Sequence, residues 1–246
     1  MTQNPSQTVA AIRDILKRDG SAQHAKGVQW FFKEEIKSHG WYAADLRTFA
    51  RKFRRKVIEE RGQEKGLRFL VQVADRLFTG RVLEEKVFAV LLLEDWTAKL
   101  GDDEFARFES WLDRISSWAD HDGLVHSLIA PMIASKPSRA AKIFAWAQSS
   151  DRWHRRAACV ALIQGTRQKK FFPQIVRLSN FLLRDKDDMV QKGLGWLLRE
   201  TAKRNPQSTI PYLLKIRAKA PRLVLRTACE TLPASDKRRV LAKQVQ

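Results

Sequence analysis

Lys86, Asp122, Arg156, Lys192 and Arg226 follow one another at steps of 36, 34, 36 and 34 residues. Four are cations and one is a carboxylate. Cations at a fixed register of a repeating chain line one surface, and such a row suits a phosphate backbone. A lone carboxylate in the same row weakens the grip on an anion, so Asp122 requires a purpose of its own. One purpose is structural, as the cap of a helix containing Leu124 and Leu128. The other is to supply a fixed negative charge. Trp118 stands four residues ahead, so in a helix the indole and the carboxylate share one face.

Other chemistries lack their residues. His121 and His126 are five apart with Asp122 between them, whereas a helical metal pair prefers a spacing of four, so no metal site is expected. There is no phosphate-binding glycine loop, no nucleophile elbow and no zinc-deaminase signature. No lysine stands out as a Schiff-base nucleophile, and no cofactor is implied. Cys159 and Cys229 are the only cysteines and sit in apolar helical patterns. Two buried, reduced thiols are expected, too few for a four-cysteine metal site or cluster.

The elements that must position these residues read as helices. Leu46, Phe49, Phe53 and Val57 form an apolar stripe, with Arg47, Arg51, Arg54 and Arg55 opposite. Asp151 reads as the N-cap of a helix burying Trp153, Ala157, Val160 and Ala161. Asn205-Pro206 and Ala220-Pro221 each end one helix and start another. Roughly twelve to fourteen helices of ordinary length are expected, without strands. Five helices align from Glu85, His121, Arg155, Gln191 and Leu225, and their apolar positions recur. A period in the mid-thirties with two helices per unit predicts an all-α solenoid whose equivalent positions form a concave basic face.

Composition agrees with that placement. Lys and Arg number 46 against 27 Asp and Glu, for a net charge of +19, which points to a polyanionic partner such as nucleic acid. The start, Met1 to Ala11, is polar, and no apolar run is long enough to span a bilayer, so a soluble intracellular protein is expected. The 246 residues suit a single α-helical repeat domain, 1–246. Trp111, Trp146 and Trp153 lie on apolar stripes and read as packing residues. Trp196 follows Gly193 and Gly195, a pair that suggests close approach by another element or by a nucleic-acid backbone.

Three stretches carry a resemblance to a known family. They are Ser117-Trp118-Ala119-Asp120-His121-Asp122, then Ser150-Asp151-Arg152-Trp153-His154-Arg155-Arg156-Ala157-Ala158, then Val190-Gln191-Lys192-Gly193-Leu194-Gly195-Trp196-Leu197-Leu198-Arg199-Glu200. In order and spacing the chain resembles the HEAT-like-repeat DNA alkylation repair proteins of AlkD type over most of residues 25–230. Near Gly40-Trp41 the family usually shows glycine followed by an aliphatic residue, so Trp41 departs from the pattern. No functional residue is carried over from the N-terminal quarter.

The resemblance implies a right-handed HEAT-like solenoid and a monofunctional DNA N-glycosylase. Its substrates would be cationic purines of the 3-methyladenine and 7-methylguanine type in duplex DNA, and its product an abasic site. Trp118, Asp122 and Trp196 match the family's catalytic set, and Arg156 matches a conspicuous arginine beside it. Arg155, Arg156, Lys86, Lys192 and Arg226 would contact the DNA. A cytoplasmic monomer, nucleoid-associated when bound to DNA, is expected. The alternative is a non-catalytic HEAT-repeat protein that binds branched or distorted DNA.

Overall fold

The structure, a computed structural model, describes residues 4–242; Met1–Gln3 of the polar start lie outside the described residues. The chain divides into two compact units, one ending at Leu128 and the other beginning at Ile129. The first holds α1 (Pro5–Arg18), α2 (Ala22–Gln29), α3 (Ala43–Arg61), α4 (Gln63–Phe78), α5 (Leu83–Leu93), α6 (Asp102–Trp111) and α7 (Trp118–Leu124). The second holds α8 (Ala130–Ser135), α9 (Ile143–Ala147), α10 (Arg152–Val160), α11 (Ile163–Thr166), α12 (Phe172–Leu182), α13 (Asp188–Arg204), α14 (Pro206–Ile216), α15 (Arg222–Ala228) and α16 (Ala234–Leu241). There is no strand among the described residues, only a single parallel bridge between Lys37 and Val82. The helices exceed the expected number because some, such as α9 and α11, are one turn or little more.

Local chemistry sets the helix starts. Asp151 accepts from the backbone N–H groups of Trp153 and His154, as its position ahead of α10 predicts. Asp187 does the same for Met189 and Val190 at the head of α13, and Asn205 caps α14 ahead of Pro206. The register starts Glu85, His121, Arg155, Gln191 and Leu225 fall at the third or fourth residue of α5, α7, α10, α13 and α15. The recurrence in the sequence is thus a recurrence of helix phase.

In the first unit the apolar stripe of α3 faces α5, where Phe49 and Phe53 place their rings 4.7 and 6.1 Å from that of Phe88. Phe78 of α4 stacks on Trp111 at 4.4 Å, and the indole N–H of Trp111 donates to Asp75. The arginines of α3 are not simply a solvated side: Arg47 pairs with Glu94, and Arg54 with Asp95 and the Leu91 carbonyl. Burying each large apolar side chain stabilises the unit by about 1.5–3 kcal/mol.

In the second unit α13 packs between α10 and α15 through its two glycines. A Cβ at Gly193 would meet Arg156 Cγ at 3.1 Å, and one at Gly195 would meet Thr227 Cβ at 2.6 Å. The close approach that this pair signals is therefore made by neighbouring helices. Trp146 and Trp153 are buried there, as Trp111 is in the first unit. Cys159 and Cys229 are free and buried. Burial pushes the Cys159 thiol up to about 12 and raises that of Cys229, so both remain protonated thiols.

Candidate functional site

The site begins at α7. Ser117 is its N-cap and Asp120 completes a capping box: Asp120 Oδ1 accepts from the Ser117 N–H and hydroxyl, each at 2.7 Å. Its other oxygen accepts from the Ser116 N–H and hydroxyl and from Lys86 Nζ at 2.9 Å. Lys86 also donates to Ser116 Oγ and to the Arg114 carbonyl. Burial would raise the Asp120 carboxyl, but Lys86 and the donors from Ser117 and Ser116 outweigh it and hold the group below its ordinary range.

This arrangement corrects one expectation. Lys86 does not front a phosphate track: it is 3% exposed, and its charge is neutralised by a fully buried Asp120. A register position fixes helix phase, but not whether a neighbouring element covers the side chain. Asp120 also takes the capping duty that Asp122 could have had. Asp122 lies inside α7, two residues past the capping box, and its carboxylate is half-buried at 21% exposure. Its Oδ1 is 2.6 Å from Nδ1 of the fully buried His121. With Asp122 ionised, as a fixed negative charge requires, this contact has the Nδ1–H donating to Oδ1.

Trp118 opens α7 four residues before Asp122, on the same face. Its ring stacks on Phe32 at 5.1 Å and 17°, and its indole N–H donates to the Phe31 carbonyl at 3.3 Å. Phe31 and Phe32 belong to the segment between α2 and α3. The three consecutive aromatics at 30–32 are a signal that sequence reasoning passed over. Beside this segment a cleft of about 560 Å³ is lined by Lys37, Arg81 and Arg114, with Glu35, Asp113 and Ser116, and the buried Lys86 forms part of its wall. Lys37, Arg81 and Arg114 fall outside the repeat register and were not singled out from the sequence.

The second unit holds the other expected residues. Trp196 is half-buried on α13, four residues after Lys192, so the indole and the ammonium share a side of that helix. Lys192 is partly exposed 3.5 Å from Asp188, and Arg226 on α15 is exposed. Arg156 departs from expectation. It is buried, its guanidinium donates to the Met189 carbonyl at 2.6 Å, and its stem lies against Gly193. It joins α10 to α13 rather than forming part of an open basic row. Arg155 is held by Asp185 at 2.6 Å and by the Ser149 and Ser150 carbonyls, which ties α10 to its preceding loop.

Among the described residues no helix is long and apolar enough to cross a membrane. No curated protein matches the sequence significantly. The structure is similar to that of a predicted DNA alkylation repair enzyme from Enterococcus faecalis, with a TM-score of 0.75 and 16% identity over 87% of this chain and 97% of that one. It is also similar to AlkD2 from Streptococcus mutans, with a TM-score of 0.57 and 19% identity over 78% and 98% of the two chains. The fold is thus all-α and of the AlkD-type helical-repeat kind. The sequence profile of the DNA alkylation repair enzymes matches residues 12–232, so the chain belongs to the DNA alkylation repair enzyme family.

Proposed function

We propose that this chain is a monofunctional DNA glycosylase that removes positively charged alkylated purines and leaves an abasic site. The observation that carries the reading is Asp122, a half-buried carboxylate held by His121 on the helix face it shares with Trp118. A purine methylated at N3 or N7 is cationic and leaves as a neutral base. The developing positive charge passes to the deoxyribose. Such a reaction needs no acid to protonate the base. It needs fixed negative charge near the sugar, and Asp122 supplies it, stabilising the oxocarbenium-like transition state or orienting the attacking water. The indole face of Trp118 favours the cationic base by about 0.5–2 kcal/mol, and the family resemblance gives Trp196 of the second unit a part in the same chemistry. The net charge of +19, with Lys192, Arg226 and the cleft cations Lys37 and Arg81 exposed or lining open surface, supports a grip on the duplex backbone.

The test is incubation with methylated duplex DNA and measurement of the released bases. Release of 3-methyladenine or 7-methylguanine with an abasic product and no strand cleavage supports the reading. Tight duplex binding with no base released by the wild-type protein overturns it in favour of a non-catalytic DNA-binding role.

A further inference from the structure

Two aromatic rings beside the candidate site are left in water. Trp30 is 91% exposed and Phe31 74%, although the segment that carries them is firmly built. The Gln29 side chain accepts from the Ile36 N–H and donates to the Glu34 carbonyl. The Glu84 carboxylate gathers the Ser38 hydroxyl and the N–H groups of His39, Gly40 and Trp41. Leu83 N–H donates to the Lys37 carbonyl at 2.8 Å. Gly40 has a φ of +78°, and a Cβ there would lie 2.0 Å from the Ser21 carbonyl oxygen, so the turn admits only glycine.

Trp118 makes the decisive connection. It stacks on Phe32 and takes the Phe31 carbonyl, which fixes the backbone of this segment to the helix bearing Asp122 while the Phe31 ring points outward. A loop so tied could have turned its rings inward. Holding them out gives up hydrophobic stabilisation, which marks a contact surface. Lys26, Lys33 and Lys37 are exposed along this stretch, against Glu34 and Glu35, so its charge is net positive. Aromatic faces with neighbouring cations are the recognition chemistry of unstacked nucleobases, and apolar side chains can fill an opened base step.

We propose that Trp30 and Phe31 form a stacking platform that occupies an interruption in the base stack of duplex DNA, where a base is missing or displaced. The proposal rests on the reading of Asp122 as the site of base removal, which generates such an interruption. The platform would favour an interrupted duplex over a continuous one and steady the abasic product.

The test is fluorescence anisotropy with a labelled duplex, fully paired or carrying one tetrahydrofuran abasic analogue. Wild type should bind the interrupted duplex about fivefold or more tightly than the paired one. Trp30→Ala/Phe31→Ala should lose that preference, while its affinity for paired duplex stays within about twofold. Both rings are exposed, so its melting temperature should match wild type, and Trp30→Phe should retain the preference. An unchanged preference in the double variant overturns the proposal, as does its absence in wild type. A concentration-dependent dimer abolished by the double substitution assigns the rings to a second copy of this chain and also overturns it. The analogue has no base to release, so this result is independent of catalysis. If Asp122→Asn abolishes base release while the double variant keeps its preference, the platform fails and the glycosylase reading stands. If wild type releases no base yet shows a ring-dependent preference, the glycosylase reading fails and the platform stands.

Discussion

His121 Nδ1 lies 2.6 Å from Asp122 Oδ1, and the imidazole is fully buried while the carboxylate it holds reaches solvent. A fixed donor behind an accessible acceptor keeps the carboxylate in one orientation, the condition for electrostatic stabilisation of a developing cation. Asp122→Asn keeps the size and the acceptor oxygen but removes the charge. Base excision should fall by roughly 10- to 1,000-fold, or about 1.4–4 kcal/mol of barrier. Affinity for duplex DNA should hold or rise, because an anion near phosphates is lost. Melting should barely change, since Asp120 and not Asp122 caps α7. Excision at the wild-type rate in this variant would remove Asp122 from the chemistry.

His121 should act as a positioning residue. His121→Asn can retain a donor near the Nδ1 position, whereas His121→Leu cannot. Excision should fall by about tenfold in the leucine variant, equivalent to ~1.4 kcal/mol, and by less in the asparagine variant. DNA affinity should be unchanged in both. Equal excision by the two variants, at matched folded fractions, would show that the ring only fills space.

The salt dependence of duplex binding separates surface cations from buried ones. For about six phosphate contacts, log K should fall with log salt at a slope near −5. Lys192→Ala and Arg226→Ala should each reduce the magnitude by about 1. Lys86→Met, measured well below its melting temperature, should leave the slope as it is, because Lys86 spends its charge on Asp120. A slope reduced by Lys86→Met as much as by the other two would return Lys86 to the basic row.

The Lys86–Asp120 pair also makes an acid-sensitivity prediction. The folded state holds the Asp120 carboxyl below its ordinary range, the Lys86 charge and the Ser117 and Ser116 donors prevailing over burial. The pair's contribution is therefore complete above the unfolded carboxyl pKa of about 3.9, and is lost as pH falls through the depressed folded value. Asp120→Asn should lower the melting temperature at neutral pH, because Lys86 is left buried and unpaired, at a cost of about 3–5 kcal/mol. Its acid limb below about pH 4 should be shallower than that of wild type. Parallel acid limbs would mean that other carboxylates carry the whole effect.

Local order was legible in the sequence because its causes are local. Asp151 caps the helix it precedes, Asn205-Pro206 separates α13 from α14, and the five register starts share one helix phase. The spacing Ser117-x-x-Asp120 is itself a capping-box signature, so the cap of α7 could have been read and Asp122 released from that role. The fate of the cations was not legible. Lys86 meets Asp120 across 34 residues, and Arg156 meets the Met189 carbonyl across 33. A register position identifies a cation without showing what covers it. Trp30, Phe31 and Phe32 belong to no helical period, so a search for periodicity passed over the segment that supports Trp118.

The packing of α13 on α15 can be tested at Gly195. Alanine in a helix is favoured over glycine by about 1 kcal/mol, so Gly→Ala stabilises wherever there is room. Gly27 in α2 has room, with nothing within 4 Å of a built Cβ, and Gly27→Ala should stabilise the protein by up to that amount. At Gly195 the added carbon would lie 2.6 Å from Thr227 Cβ, 3.0 Å from its Cγ2 and 3.1 Å from the Val224 carbonyl oxygen. A β-branched side chain and a backbone oxygen cannot swing aside, so α15 would have to move as a body. Overpacking of this kind typically costs about 1–3 kcal/mol, enough to outweigh the propensity gain. Gly195→Ala should therefore lower the urea midpoint while Gly27→Ala raises it. A rise in both would show that α13 and α15 do not approach each other this closely.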